Sequence, residues 1–312
     1  MENLILSFNV VTPLFINIAF GYFIKRIRLI DSNTLKVMNN VTFKTFLPLL
    51  LFYNVYKTKL DGTIDARLMI FAPSAIFLAC VLGTMVILVL EKENKRRGVL
   101  IQSIFRSNFV LFGLPVVISL FGDESAGVTS MLIAVIVPMF NFLAVIILEI
   151  FRGGKIDIRK IVQGIITNPL ILSSMLGLIL LFLNVRLPYF IEKSINDISK
   201  IATPLALIIL GGSFEFSQVS GNIKQILIGV IGKLIVVPII FVPIAIKLGF
   251  RHIELATLMI MLTAPTAVSS FTMAEQMDGD GELAGQLVVF SSAVSVFTIF
   301  IWVFIIKQLG YI

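Results

Sequence analysis

The chain alternates between long apolar blocks and short charged connections, and this alternation limits its fold more than any other feature. The blocks reach about 20 residues, the length of helix that crosses the ~30 Å hydrocarbon core of a bilayer. Charged residues make up 14% of the 312 residues, whereas soluble domains have roughly a quarter. The sequence therefore predicts an all-α integral membrane protein, since a helix satisfies its own backbone in lipid.

Ten blocks are long enough to be transmembrane spans. They cover residues 5–24, 34–56, 68–90, 99–121, 126–150, 164–184, 199–214, 225–247, 254–274 and 284–306. The connections are too short for a separate soluble domain, so we expect one membrane domain. No Lys or Arg precedes the first block, so it is interpreted as a span and not as a signal peptide.

Lysine and arginine in the connections predict the orientation of the chain. In the first half, one side of the membrane carries twelve of these residues, and the other side carries only Lys57, Lys59 and Arg67. The richer side is expected to be cytoplasmic, which places the N-terminus outside and, after ten spans, the C-terminus outside too. The net charge of +7 is thus explained by topology in a cytoplasmic membrane, and no nucleic-acid partner is expected.

The residue inventory argues against catalysis. Cys80 and His252 are the only cysteine and histidine, so an internal disulfide, a cysteine metal cluster and a Ser-His-Asp triad are excluded. The Gly-Gly-Lys at 153–155 lacks the spacing of a phosphate-binding loop. We expect no catalytic residue, metal or cofactor, and neither an ATP-driven pump nor an intramembrane enzyme.

The two halves of the chain match at a shift of 156 residues, which is half its length. Residues that shape membrane helices recur at this distance: Pro13 and Pro169, Gly21 and Gly177, Pro48 and Pro204. The pattern predicts two repeats, 1–156 and 157–312, of five spans each. Because five is odd, the second repeat enters the membrane from the opposite side, an arrangement typical of secondary transporters.

Spans 4 and 9 each contain a small polar segment at mid-span. These are "FRSNFVLFGLPVV" at 105–117, whose Gly-Leu-Pro is expected to break the helix, and "TAPTAVSSF" at 263–271. Broken helices with their positive N-terminal ends at one cavity attract an anion, and Arg106 adds a full charge. The candidate substrate-binding residues are Arg106, Ser107, Asn108, Gly113, Pro115, Asn141, Ala264, Pro265 and Thr266. The alternative is a kink or a packing surface.

Two lysines also lie within apolar blocks. Lys44 precedes Pro48 by four residues, and Lys233 lies nine residues into span 8. Each could extend to the membrane interface. The alternative is a counter-charge along an anion pathway.

The segments "SNFVLFGLPVV", "NPLILSSMLGL", "PLALIILGGSF" and "LTAPTAVSSFTMAEQ" together resemble the auxin efflux carrier family, which includes plant auxin exporters and bacterial permeases for malate and malonate. The resemblance implies a dimerising scaffold of spans 1, 2, 6 and 7, and a mobile transport domain of spans 3–5 and 8–10. Spans 4 and 9 would cross at the site, with Asn108 and Pro265 at the crossing. Plant members have a proline where this chain has Ser107, and a long loop after span 5 where this chain has a short one.

The function expected is therefore a secondary transporter of small organic anions, carboxylates such as malate or auxin-like acids, that works by an elevator-type motion as a homodimer in the lipid bilayer. The alternative is a proton- or sodium-coupled symporter of another small anion on the same fold. Spans 4 and 9 carry no acidic residue at their breaks, which argues against sodium but not against protons. A channel is a further alternative, although channels seldom need paired broken helices.

Overall fold

The computed structural model describes residues 2–58, 65–122, 125–152 and 158–312. All regular elements in these ranges are helical, and the single strand-like pairing is an isolated bridge between Ser107 and Thr266. Lys59 and Lys155, which were used in the topology prediction, lie outside the described residues. The expected all-α fold class is confirmed for the described part of the chain.

Sixteen α-helices follow one another in the described ranges. They are α1 (Glu2–Arg26), α2 (Ser32–Val41), α3 (Leu47–Tyr56), α4 (Ala66–Leu90), α5 (Asn94–Phe105), α6 (Phe109–Phe121), α7 (Ala126–Phe151), α8 (Ile158–Ile166), α9 (Pro169–Phe182), α10 (Tyr189–Ser199), α11 (Ala202–Ser213), α12 (Val219–Ile231), α13 (Val237–Lys247), α14 (His252–Thr263), α15 (Ser269–Gln276) and α16 (Gly281–Gln308). The π-helical turns Thr42–Phe46 and Gly232–Val236 join α2 to α3 and α12 to α13.

Five helical segments in the described ranges are long and apolar enough to cross a membrane. They are Ala66–Leu90, Ala126–Phe151, Tyr189–Ser213, Phe216–Lys247 and Gly281–Gln308. Shorter apolar helices cover Phe109–Phe121, Pro169–Phe182 and His252–Thr263. Large apolar side chains such as Val89 and Phe182 are exposed, as expected where lipid covers the surface.

Polar residues in the connections fix where several helices begin. The Asp31 carboxylate accepts from the Thr34 backbone N–H at 2.7 Å before α2, and Asp280 accepts from the Leu283 N–H at 2.9 Å before α16. Asn168 caps α9 in the same way, directly before Pro169. These caps satisfy N–H groups that have no partner within their own helix, so the short connections define the ends of the apolar helices.

The first group of helices consists of α1, α2, α3, α9, α10 and α11, and its two main contacts are α1 with α11 and α3 with α9. Both contacts need a glycine. A Cβ atom on Gly21 would lie 2.0 Å from the Ile208 carbonyl oxygen, and one on Gly177 would lie 2.9 Å from the Phe52 carbonyl oxygen. The backbones therefore touch directly, which only small residues permit.

The second group consists of α4–α7 and α12–α16. Within it α4 packs against α5, α13 against α14, and α16 against both α12 and α15. Helices α6 and α7 also contact α14. This group contains both helix breaks and most of the buried core, so it surrounds the polar residues that the sequence places at mid-span.

The expectation that Gly113-Leu-Pro115 breaks span 4 is wrong. Pro115 lies inside α6, and the break comes earlier, at residues 106–108. A proline removes one helical hydrogen bond, a loss that a helix packed among neighbours tolerates. The earlier break is stable because Ser107 and Asn108 bond to the other broken helix instead.

The glycine contacts lead to a stability prediction. Gly21→Ala should lower the free energy of unfolding by about 1–3 kcal/mol, because a methyl group at this contact meets a backbone carbonyl that no side-chain rotation can move. Thermal unfolding of the detergent-purified protein measures this loss. The control is Gly127→Ala in α7, where a Cβ atom meets nothing within 4 Å; an equal loss in both variants would contradict the packing argument.

Candidate functional site: the crossing of two broken helices

Two helices of the second group are broken, and their breaks lie next to each other. Helix α5 ends at Phe105 and α6 begins at Phe109, while α14 ends at Thr263 and α15 begins at Ser269. Across the gap Ser107 pairs with Thr266 as an antiparallel bridge, and the Asn108 backbone N–H donates to the Pro265 carbonyl oxygen at 2.7 Å. Hydrogen bonds between the two segments thus replace those that each helix loses at its break.

The sequence explains why the breaks fall here. Pro265 has no N–H and pushes the preceding residue out of the helical region, and Ala264 is extended with ψ 145°. The Thr266 N–H donates to the Ser291 hydroxyl at 3.1 Å, and the Thr266 hydroxyl donates to the Ser103 carbonyl oxygen at 3.2 Å. A backbone carbonyl of α5 and a serine side chain of α16 therefore satisfy polar groups at the break.

Arg106 lies at the end of α5 and is only 3% exposed. Its Nη2 donates to the Asn141 side-chain oxygen at 2.6 Å and to the Ser269 hydroxyl at 2.7 Å, and its Nη1 contacts the Met273 sulfur at 2.6 Å. Within the described residues it forms no ion pair with a carboxylate. A buried cation held by neutral groups leaves its charge uncompensated, which favours a bound anion nearby.

Lys233 carries a second buried amine to the crossing. It is fully buried in the π-helical turn Gly232–Val236, and its Nζ donates to the Ser107 hydroxyl, which in turn donates to the Met261 carbonyl oxygen at 2.5 Å. Extension to the membrane interface is therefore wrong for Lys233. Lys44, in the other π-helical turn, is exposed, in agreement with that interpretation.

A cavity of about 120 Å³ lies at the crossing. The second helix group contributes the polar side chains of the break at 106–108, Asn141 of α7 and Ser269 of α15. The first group contributes residues of α3 and α11, including Asn54 and Thr203. The Asn108 side-chain nitrogen is buried and has no hydrogen-bond partner in the described structure. Such a donor costs about 1–3 kcal/mol when it stays unpaired, so a ligand acceptor in this cavity would be stabilising.

The predicted site residues fall into three sets. Arg106, Ser107, Asn108 and Asn141 line the cavity. Ala264, Pro265 and Thr266 form the opposing segment of the crossing, with Thr266 bonded to Ser103 and Ser291. Gly113 and Pro115 lie further along α6 and do not line this cavity; a Cβ atom on Gly113 would contact Phe109 and Thr129.

Sequence reasoning missed several residues at the crossing. Ser269 bonds Arg106, Asn54 and Thr203 line the cavity, and Lys233 was given no place in the candidate site. The position of Lys233 well inside an apolar block was the one available signal. The sequence contains no local pattern that places α3 and α11 beside the crossing, because their position depends on contacts between helices that are distant in the chain.

A second cavity of about 250 Å³ lies at another boundary between the two helix groups. Its lining comes from α1, α2 and α11 on one side and from α15 and α16 on the other, and includes Lys25, Lys36, Glu275 and Glu282. Asn39 also lines it, and neither polar atom of this buried amide has a partner among the described residues. Polar cavities thus border the helix-group boundary at two places.

The described residues contain no group of three or more His, Cys, Asp or Glu side chains that could hold a metal ion. What the crossing offers instead is a guanidinium, a free amide donor and a hydroxyl at one small cavity. This chemistry can bind a small anion.

The chain is similar to known membrane transport proteins along nearly its whole length. A family described as membrane transport protein matches residues 6–303. The chain is 23% identical over 305 residues to an uncharacterized transporter of Methanocaldococcus jannaschii, covering 94% of this chain and 97% of the relative. It is 22% identical over 304 residues to an uncharacterized transporter of Methanothermobacter thermautotrophicus, covering 95% and 97%. The chain is therefore a multi-pass membrane protein that belongs to the membrane transport protein family, the family of the auxin efflux carriers.

Proposed function

We propose that this protein is a secondary transporter of small organic anions, with carboxylates such as malate as its substrate class. One observation carries the proposal: the cavity at the crossing presents the Arg106 guanidinium and the unpartnered Asn108 amide between two groups of helices. A charge buried in a membrane helix is costly, and usually faces a substrate pathway. The further parts of the proposal follow from charge, size and symmetry.

Charge favours an anion at the crossing. Helices α6 and α15 both begin there, at Phe109 and Ser269, and each helix N-terminus carries about half a positive charge. Arg106 adds a full charge with a planar donor fork that suits a carboxylate. The described residues place no carboxylate in the lining of this cavity, so no negative side chain there would repel a substrate carboxylate.

Size favours a small acid. The cavity measures about 120 Å³, whereas pockets for drug-sized ligands measure roughly 300–1,000 Å³. A four-carbon acid such as malate suits this space better than an auxin-like acid with an indole ring. Two carboxylates would also use both positive groups at the crossing, Arg106 and Lys233.

The glycine contacts support ten spans arranged as two inverted repeats, 1–156 and 157–312. Gly21 touches Ile208 and Gly177 touches Phe52; Gly177 lies 156 residues after Gly21, and Ile208 lies 156 residues after Phe52. The same contact is thus made twice, with the roles of the two halves exchanged. This is what a two-fold relation between the repeats requires, and the paired breaks in spans 4 and 9 fit it.

An elevator-type motion follows from the two helix groups. The first group would be the scaffold, formed by spans 1, 2, 6 and 7, and the second would be the transport domain, formed by spans 3–5 and 8–10. Both cavities are lined by residues of both groups, so movement of one group against the other would open one cavity and close the other. The same proposal includes two further parts. The resemblance to the family suggests homodimerisation through the scaffold, and the distribution of Lys and Arg suggests that both termini are extracellular.

Proton-coupled symport is the second candidate, and Lys233 favours it. A buried amine that contacts a cavity-lining hydroxyl can exchange a proton in step with the substrate. Sodium coupling has less support, because oxygen-rich carboxylate ligands are what a hard cation prefers, and the described crossing has none.

The role of Arg106 leads to a prediction about affinity. Arg106→Gln should raise the KM for malate by about 10- to 100-fold, since a hydrogen bond to a charged group contributes about 1.5–3 kcal/mol. Uptake of labelled malate into proteoliposomes under an imposed membrane potential measures this change. Arg67→Gln removes an exposed arginine at the start of α4 and should leave KM unchanged; wild-type KM in Arg106→Gln would remove Arg106 from the site.

The unpartnered amide leads to a prediction about activity. Asn108→Ala should abolish saturable malate uptake while the purified protein stays folded and monodisperse, because the side-chain nitrogen of Asn108 has no partner in the described structure that the mutation could remove. Asn33→Ala, at the exposed start of α2, is the control and should transport normally. Full transport by Asn108→Ala would show that the amide does not contact the substrate.

A further inference from the structure

Lys233 is the one fully buried amine in the described structure that lies directly behind the cavity wall. It is 0% exposed, and its hydrogen-bond partner, the Ser107 hydroxyl, lines the cavity. Ser107 follows Arg106 in the chain, so two cationic side chains approach the same peptide segment. The described residues offer neither of them a carboxylate within ion-pair distance.

The surroundings of Lys233 contain few other charges. The turn Gly232–Val236 packs against α5, α12, α13, α14 and α16. Apart from Arg106, the charged or titratable side chains of these helices lie near helix ends, away from mid-span: Lys95, Arg96, Arg97, Lys224, Lys247, His252, Glu254, Glu282 and Lys307. Arg106 keeps its charge at all relevant pH values, so it is the fixed neighbour that acts on Lys233.

We propose that the Lys233 amine is the proton site that couples anion transport to the proton gradient. It takes up a proton when the anion binds at the crossing and releases that proton when the anion leaves, so one proton accompanies each anion. This inference rests on the proposed function and deepens it by naming the coupling residue. No covalent bond between heavy atoms changes, and the proton comes from water and returns to water.

Proton uptake by Lys233 is driven by the negative charge that the bound anion adds near its amine. In the empty protein, burial and the Arg106 charge both oppose a second cation at Lys233. An anion hydrogen-bonded at Ser107 would lie about 6 Å from the amine, and at an effective dielectric constant of about 20 a unit charge there raises its proton affinity roughly 100-fold. A second negative charge on the same substrate would add to this effect.

The Ser107 hydroxyl provides the path for the proton. It contacts the amine on one side and lines the cavity on the other, and a cavity of about 120 Å³ with polar walls has room for water. A hydroxyl both donates and accepts hydrogen bonds, so it can pass a proton between cavity water and Lys233.

The direction of the pH dependence follows from linkage. Because the bound state holds one more proton than the empty state, anion affinity rises as the pH falls. The rise reaches at most about tenfold per pH unit, within the interval between proton release from the empty and from the occupied site. Substrate binding at constant pH should correspondingly take protons from the buffer.

The transport experiment uses proteoliposomes with an acidic exterior, a clamped membrane potential and labelled L-malate. The wild-type protein and Lys44→Met, which removes the exposed lysine of the other π-helical turn, should accumulate malate against its gradient. Lys233→Met should only equilibrate malate. Lys233→Arg tests the same point with a cation that does not release its proton, and should transport malate without responding to the pH gradient.

Accumulation by Lys233→Met or Lys233→Arg that follows the pH gradient as in the wild type would overturn the proposal. So would wild-type transport that ignores the pH gradient. Wild-type protein that carries no malate under any gradient would instead count against malate transport, and the proton site would then be decided by the second measurement.

The second measurement tests the proton site in the empty protein first, without any substrate. Protein labelled with ¹³C at the lysine Cε is titrated by NMR, and the Lys233 signal is identified as the one absent from Lys233→Arg. In the empty protein this signal should report proton release within the physiological pH range, as a coupling site requires. In protein that binds malate, the release should occur at higher pH. A Lys233 signal that stays protonated up to pH 10 in the empty protein would refute the proton site directly.

Discussion

Backbone groups inside a bilayer have no water to bind, and the crossing exists because two interrupted helices bond to each other. The Asn108 N–H uses the Pro265 carbonyl oxygen, and Ser107 pairs with Thr266. Neither break would be stable alone, since each would leave unpaired groups at several kcal/mol apiece. The two breaks are therefore one structural unit, and the Ser103 carbonyl oxygen and the Ser291 hydroxyl complete it by bonding Thr266.

The same unit brings positive charge to mid-span. Arg106 is held there by a side-chain amide, a hydroxyl and a sulfur. Neutral partners fix the position of a cation and leave its charge uncancelled, whereas a buried carboxylate would fix the cation and also cancel its charge. The positive field therefore stays available to whatever enters the cavity. This separation of positioning from neutralisation is what a site for a mobile anion needs, because the anion must also leave.

Much of the fold could be predicted from the sequence, since span length and polar mid-span segments are local properties. The break in span 9 was predictable from Pro265, but the break in span 4 was assigned to Pro115, because sequence alone does not show which carbonyl groups find partners elsewhere. Arg106 and Asn108 were found because polar residues are conspicuous in an apolar block. For Lys233 a counter-charge was only the alternative to extension toward the interface. A long flexible side chain can reach either the interface or the interior, and only the packing around its turn decides between them.

The glycine contacts of the first helix group also determine where the molecule can deform. At Gly21 and Gly177 the backbone of the neighbouring helix touches the helix backbone itself. No rotatable side chain therefore lies between the two surfaces to absorb a displacement. Sliding α1 along α11 would drive carbonyl oxygens into Cα atoms within a fraction of a helical turn. The group is consequently stiff. The relative motion proposed above would therefore take place at its outer boundary, where longer side chains such as Leu35, Leu47 and Phe271 can change rotamer.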